Sequence, residues 1–230
     1  MENWLSRESA LIGEEAVERL KNSSILIFGI GGVGGYCVEA LARAGVGSLT
    51  LVDHDKVNIT NLNRQIIATL STLDMNKTEA AAKRIEDINP QCSVNCISEF
   101  ADKDNISRII EQARPDFIID AIDCVTSKLL IAEYSKNNCI PLISSMGTGN
   151  KLDPEKLKIS DISKTHTCPL ARVMRRELGR RGIKHLTVLF SEEQPVKTGM
   201  RAPASISFVP SAAGLMIAGY CIRKIIEVEK

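Results

Sequence analysis

"ILIFGIGGVGG", residues 25–35, is four apolar residues running into a seven-residue stretch that holds five glycines. An unbroken apolar run of this kind belongs to a parallel strand covered on both faces. Gly29, Gly31 and Gly34 then give G-x-G-x-x-G at a strand-to-helix junction, with Gly32 inside it. Glycine there permits a tight turn and lets phosphate oxygens approach the backbone N–H groups of a helix start. The spacing predicts a helix over 34–44 that stops at Gly45, then a second strand, "SLTLVD", over 48–53. Asp53 ends that strand nineteen residues after Gly34, where a carboxylate can accept hydrogen bonds from a ribose hydroxyl. One βαβ unit built to bind a nucleotide follows from these residues alone.

Working outward, the alternation continues. Residues 6–21 have helical spacing (Leu11, Ile12, Ala16, Val17, Leu20), with Ser6 or Ser9 available as a cap. Further helices are expected near 76–87, 104–113 and 126–137, and strands near 92–97, 116–123 and 141–145. Regular alternation implies an α/β, Rossmann-like, mainly parallel sheet with helices on both faces and right-handed crossovers. Beyond 145 the pattern becomes less regular. A basic segment "RVMRRELGRRGIKH" (172–185) and a strand-like "LTVLF" (186–190) precede the polar "SEEQPVKTGMRAPAS" (191–205), which resembles a mobile loop. A closing helix over 211–227 should turn Leu215, Ile217, Ala218 and Ile222 inward. We read residues 1–230 as one domain, with a nucleotide-binding half over 1–150 and a substrate-recognition part over 151–230.

Composition narrows the field by exclusion. With 44% hydrophobic and 25% charged residues, a wholly disordered chain is excluded. Twenty-nine basic against 28 acidic side chains give no overall pull toward nucleic acid or membrane, so any such partner must be read from local patches. Seven cysteines behind a charged start without an apolar leader fit a reducing, cytoplasmic location. Cys92 and Cys96 form the one closely spaced pair, but on a strand they stand roughly 13 Å apart, too far to share a metal, and no zinc is expected. The most apolar late stretch, 212–222, is about half of what a bilayer requires.

The loop "DHDKVNITNLNRQ" (53–65) places Asn61 and Arg64 three residues apart just beyond the ribose position, and Lys77 opens the next helix. A planar guanidinium fork with a lysine point charge suits a triphosphate whose α-phosphorus is to be attacked. Hydride transfer to a nicotinamide has no use for that set, so ATP is the expected nucleotide. "DAID" supplies Asp120 and Asp123 at the carboxyl edge of the sheet, where a carboxylate can hold Mg²⁺ against phosphates. Asp123 is the expected ligand, and Asp120 reads as a cap or turn residue.

"GIGGVGG", "LVDHD", "NLNRQ", "NK" and "DAID", in this order and spacing, resemble the ubiquitin-activating, E1-like adenylation family across residues 5–150. The resemblance implies ATP and Mg²⁺ binding and attack of a carboxylate on the α-phosphate. It implies that Arg7 reaches across a homodimer into the partner's ATP site, that Asn61, Arg64 and Lys77 surround the phosphates, and that Asp123 binds magnesium. Sulphur-carrier activators of this family usually carry two C-x-x-C zinc pairs, and this chain has neither. "THTCPLARVMRRELGRRGIKHLTVLFSEE" and "SRESALIGEEAVERLKNSSI" instead resemble the branch that dehydrates threonylcarbamoyladenosine in tRNA. That implies adenylation of the threonyl carboxylate in the anticodon loop and closure of a hydantoin ring, with adenylation of a sulphur-carrier C-terminus as the alternative and a sulphur-transfer protein as a further partner in view. Arg172, Arg175, Arg176, Arg180, Arg181 and Lys184 form a local cationic cluster suited to RNA phosphates. Aromatic residues are only 4%, which counts against a base-stacking reader. Cys168, beside His166, could be activated as an acyl acceptor. An intramolecular nitrogen needs no such relay.

Overall fold

The computed structural model describes residues 3–200 and 202–227. Strand β1 (Ser24–Phe28) lies inside a seven-stranded sheet with β2 (Ser48–Val52) and β4 (Phe117–Asp120) as parallel neighbours. β3 (Ser93–Ile97) extends the β2 side, while β5 (Leu142–Ser145) and β7 (Thr187–Ser191) extend the β4 side, all parallel. β6 (Leu157–Asp161) closes that edge, antiparallel to β7, so the order is β3-β2-β1-β4-β5-β7-β6.

Alternation along β1 sets the two faces. Ile25 and Ile27 join the core under helices α3 (Gly34–Arg43), α4 (Lys77–Ile88) and α8 (Phe208–Ile225), packing with Cys37, Leu41 and Ile217. Leu26 and Phe28 point the other way, toward Ile109 of α5 (Ile106–Ala113), Ile131 of α6 (Val125–Asn137) and Met174 of α7 (Pro169–Arg180). Burial of each such side chain is worth about 1.5–3 kcal/mol, and the apolar run of β1 is legible because both faces need it.

Several expectations need correction. Residues 6–21 form two helices, α1 (Ser6–Ile12) and α2 (Glu14–Lys21), broken at Gly13, whose φ of 87° is open to glycine. No side-chain cap forms on α1; the Ser6 hydroxyl instead accepts the Asn3 N–H at 2.7 Å. The break turns Leu11 outward, 84% exposed, while Ala16, Val17 and Leu20 stay buried. β4 is shorter than the expected strand and ends at Asp120. β6 carried no signal because, as an edge strand, it buries only Leu157 fully. On α8, Ile217 and Ala218 are buried but Leu215 faces out.

The stretch 191–205, of which residue 201 lies outside the described residues, holds no regular element after β7. It is nonetheless pinned. Asn150 donates its N–H to the Ala204 carbonyl at 2.7 Å, accepts the Ala204 N–H on Oδ1 at 2.6 Å, and accepts the Val196 N–H on its carbonyl at 2.7 Å. All seven cysteines are free, and no helix among the described residues is long and apolar enough to cross a membrane.

Candidate active site

Chain order reverses between β1 and β4, and in open α/β sheets ligands bind at that reversal, outside the carboxyl ends of the strands. A cleft of about 320 Å³ lies there. Gly29, Gly31, Gly32, Asp53, Asn61, Arg64, Lys77 and Asp123 all line it, so the structure brings together the nucleotide-site residues expected from sequence except Gly34 and Arg7. Gly34 shapes the turn instead: a Cβ there would fall 1.7 Å from the Gly29 carbonyl oxygen. Gly29 has φ 88°, and a Cβ on it would meet the Ala121 carbonyl at 2.8 Å, so the loop closes onto the end of β4 only with glycine.

Asp53 fixes the loop from below. Its Oδ2 accepts the Ile30 N–H at 2.7 Å and its Oδ1 the Asp55 N–H at 2.9 Å, which leaves lone pairs toward the cleft. Lys77, buried at the start of α4, puts Nζ 2.6 Å from Asp55 Oδ2 and 3.9 Å from Asp53 Oδ1. Burial pushes the Asp55 carboxyl up, but the Lys77 hydrogen bond and charge outweigh it and hold the group below its ordinary value. The lysine is therefore already held in place in the cleft wall by that pairing.

Asn61 is half-used by its own turn, since Oδ1 accepts the Asn58 N–H at 2.9 Å, and its amide N–H₂ remains to donate. Arg64 donates to the Thr60 carbonyl at 3.0 Å and to Asn63 Oδ1 at 2.9 Å, which steadies the guanidinium, while its aliphatic stem lies beside Gly32. Gln65 closes "NLNRQ", where no local pattern gives it a role. Among the described residues its Oε1 is the one buried side-chain polar atom without a partner, and its amide lies against Gly31. An orphaned buried acceptor costs about 1–3 kcal/mol, and one facing a cleft marks where a ligand donor fits. Cys124, at the start of α6, also lines the cleft, and hydrogen bonds from Ser127 hold its thiol below the ordinary value.

The two aspartates of "DAID" part company. Asp123 is exposed at the cleft and makes no hydrogen bond or ion pair with the described residues, whereas Asp120 is 1% exposed and no cap. Asp120 Oδ2 lies 2.9 Å from Lys128 Nζ and 2.6 Å from Ser144 Oγ. One free carboxylate beside a phosphate-sized space suits Mg²⁺, which keeps several waters and takes one or two carboxylates plus substrate phosphates. The one set of three candidate metal ligands among the described residues, Asp53, His54 and Asp55, already holds the Lys77 ammonium, 2.6 Å from Asp55, which offsets one of its two carboxylate charges.

Arg7 is exposed on α1 and lines no part of its own chain's cleft. Cys168, 2% exposed at the start of α7, lies outside the cleft too, and His166 bonds Glu192 Oε1 at 3.1 Å instead of the thiol. The basic cluster is partly spent. Arg175 donates to the carbonyl and hydroxyl of Thr165 at 2.6 and 2.7 Å. Arg176 and Arg180 pair with Glu177 at 2.9 and 3.0 Å, and Arg181 pairs with Glu133 at 3.0 Å. Arg172 and Lys184 are exposed and make no ion pair among the described residues.

The ThiF family model matches residues 5–230 of the chain. The chain belongs to the ThiF family. Among ThiF-like relatives it is 40% identical over 245 residues to the tRNA threonylcarbamoyladenosine dehydratase of Bacillus subtilis, covering 99% of this chain and 96% of that one. The Escherichia coli dehydratase is 40% identical over 168 residues, 73% of this chain and 62% of the relative. A crystal structure of the Escherichia coli enzyme in complex with ATP superposes with a TM-score of 0.91 at 33% identity, covering 97% of this chain and 93% of that one.

Proposed function

We propose that this ThiF-family chain is an ATP-dependent tRNA threonylcarbamoyladenosine dehydratase. The observation that carries the reading is the convergence of the glycine loop, Arg64, Lys77 and a free Asp123 on one cleft at the strand-order reversal. The likeness to the Bacillus dehydratase along nearly its whole length supports the choice of substrate.

The threonyl carboxylate of the modified adenosine attacks the α-phosphorus of ATP, the bond to the β-phosphate breaks and pyrophosphate leaves. A ureido nitrogen of the same side chain then attacks the acyl carbon, losing its proton as AMP departs, and a hydantoin ring closes with net loss of water. Proximity supplies this nucleophile, so no cysteine relay is required. The loop N–H groups hold phosphate oxygens and Asp53 accepts from the ribose. Asn61, Arg64 and Lys77 face the charge that grows on the departing pyrophosphate, where fixed donors are worth most. Asp123 would hold Mg²⁺, which when bound would supply positive charge against the phosphates. Arg7, outside its own cleft, serves the cleft of a second copy in a homodimer. Residues 1–150 bind the nucleotide and residues 151–230 meet the tRNA, with exposed Arg172 and Lys184, and the arginines that Glu177 and Glu133 partly neutralise, on its phosphates. The enzyme works in the cytoplasm, with its tRNA.

The test is to incubate the protein with ATP, Mg²⁺ and tRNA carrying threonylcarbamoyladenosine, then digest the tRNA and weigh its nucleosides. An ATP-dependent loss of one water from that nucleoside is expected. No change, with ATP binding intact, would overturn the substrate and redirect the adenylation to the C-terminus of a carrier protein.

A further inference from the structure

Beneath the cleft lies a charged cluster that the reaction scheme does not use. Lys128 on α6 is fully buried, Asp120 at the end of β4 is 1% exposed, and Ser144 on β5 is fully buried. Lys128 Nζ is 2.9 Å from Asp120 Oδ2 and 3.1 Å from Ser144 Oγ, and Ser144 Oγ donates to the same carboxylate oxygen at 2.6 Å. Asp120 and Ser144 are register partners across β4 and β5. The other carboxylate oxygen, Oδ1, accepts the Ile122 N–H at 3.3 Å.

Stability alone does not account for such a cluster. Two charges withdrawn from water cost more than their attraction commonly returns, and well-packed apolar replacements of similar volume are often neutral or stabilising. Its position is more telling. Ala121, Ile122, Asp123 and Cys124 all line the cleft, and they form the link between β4, where Asp120 sits, and α6, where Lys128 sits. The same link abuts the glycine loop, because the Ala121 carbonyl is what forbids a Cβ on Gly29. Asp123 itself is exposed and bonds to nothing among the described residues, so its place is set by its backbone. That backbone is tied at Ile122 to Asp120, and at the α6 end by the Lys128 N–H donating to the Cys124 carbonyl at 3.0 Å.

We propose that Asp120, Lys128 and Ser144 are positioning residues that lock the 121–124 link, and so hold Asp123 at the distance from the glycine loop that a phosphate-bound divalent cation requires. The role toward the metal rests on the reading of Asp123 given above; the role toward the link stands on the geometry alone. Outer partners that orient a metal-binding group act through affinity, and their loss typically lowers it about 10-fold to 100-fold.

The probe is Mn²⁺ with ATP, followed by electron paramagnetic resonance, alongside amide hydrogen exchange of the nucleotide-free protein. In the double variant Asp120→Leu/Lys128→Met, which leaves no unpaired buried charge, Mn²⁺ affinity for the protein–ATP complex should fall about 10-fold. Amides at 122–124 should exchange faster while those of β1 and β2 do not. Ser144→Ala, which leaves the ion pair in place and guards against a folding failure of the double variant, removes the two hydrogen bonds of its hydroxyl and should shift both readouts in the same direction by a smaller factor, about 3-fold. Asp123→Asn separates the two roles: native Mn²⁺ affinity in that variant would remove the metal assignment while leaving the link to be judged by exchange. Native affinity and native exchange in both cluster variants would overturn the inference, as would faster exchange spread evenly over the whole sheet.

Discussion

Lys77 and Arg64 near the glycine loop and the arginines of α7 are equally basic in sequence, yet the fold gives them different surroundings. Lys77 is driven into the cleft wall, against two carboxylates that fix its ammonium, and Arg64 is steadied by a carbonyl and an amide so that its other donors stay open. On α7 and just beyond it most guanidinium groups are shared at the surface, Arg176 and Arg180 with Glu177, Arg181 with Glu133 and Arg175 with Thr165, while Arg172 makes no such contact among the described residues. Fixed donors around a partly enclosed space can stabilise charge that appears during a reaction, because little reorganisation is needed. Exposed arginines shared with carboxylates are screened, and they contribute to long polyanions through number rather than through precision of placement. A basic residue is thus read by what it is paired with, and only the fold shows that.

Arg64→Ala puts this contrast under the most strain. Its guanidinium bonds only to its own turn and to Asn63, so the fold should survive, with unchanged circular dichroism, while kcat/KM falls about 10³-fold as for loss of a charge-stabilising donor. Lys77→Ala should lose comparable activity but also melt earlier, since Asp53 and Asp55 would be left facing each other without a cation. Retention of most activity by Arg64→Ala would dissolve the distinction between the two basic clusters.

A middle-sized effect is expected at Arg175, whose residue type alone puts it with the RNA-binding arginines. In the fold it ties α7 to the turn at Thr165 through two short hydrogen bonds. Arg175→Ala should therefore lower unfolding stability by about 1–3 kcal/mol, the cost of stranding those partners, without changing the salt dependence of tRNA binding. A variant with native stability and a shallower salt slope would return Arg175 to the phosphate-binding set.

The same contrast explains what could be read before the fold was known. The glycine loop, Asp53, Asn61, Arg64, Lys77 and Asp123 were legible because local rules govern them: a turn that only glycine can make, a carboxylate at a strand end, charged residues at fixed offsets from both. That β1, β2 and β4 run parallel followed from their alternation with helices and from apolar runs that need cover on two faces, whereas their order in the sheet did not. What stayed hidden depends on distant partners. Asp120 does accept the Ile122 N–H as a turn residue would, but its burial against Lys128 and Ser144 had no local signal, and Gln65 resembled the end of a motif until its oxygen proved buried without a donor. The break at Gly13 was readable in principle, since a lone glycine within helical spacing is a breaker signal, but the apolar periodicity on either side masked it. β6 had no apolar run to read, because an edge strand needs none.

Within the α7 cluster itself the expected differences are finer. Arg172 and Lys184 are the basic residues there whose side chains make neither an ion pair nor a hydrogen bond among the described residues, so they should engage phosphate more than their partnered neighbours do. In Arg172→Ala/Lys184→Ala, the slope of log K against log salt for tRNA should become shallower by about 1 for each phosphate no longer neutralised, with turnover at saturating tRNA nearly unchanged. Arg176→Ala should do less, because Glu177 already lies 2.9 Å from its guanidinium and removing one partner partly frees the carboxylate onto Arg180. Glu177→Gln tests the same logic in reverse: releasing Arg176 and Arg180, and Arg181 at 3.7 Å, should steepen the slope and tighten binding at low salt. If the double variant keeps the native slope and Glu177→Gln does not steepen it, tRNA does not bind across α7, and the arginines there serve only to hold the surface of the helix.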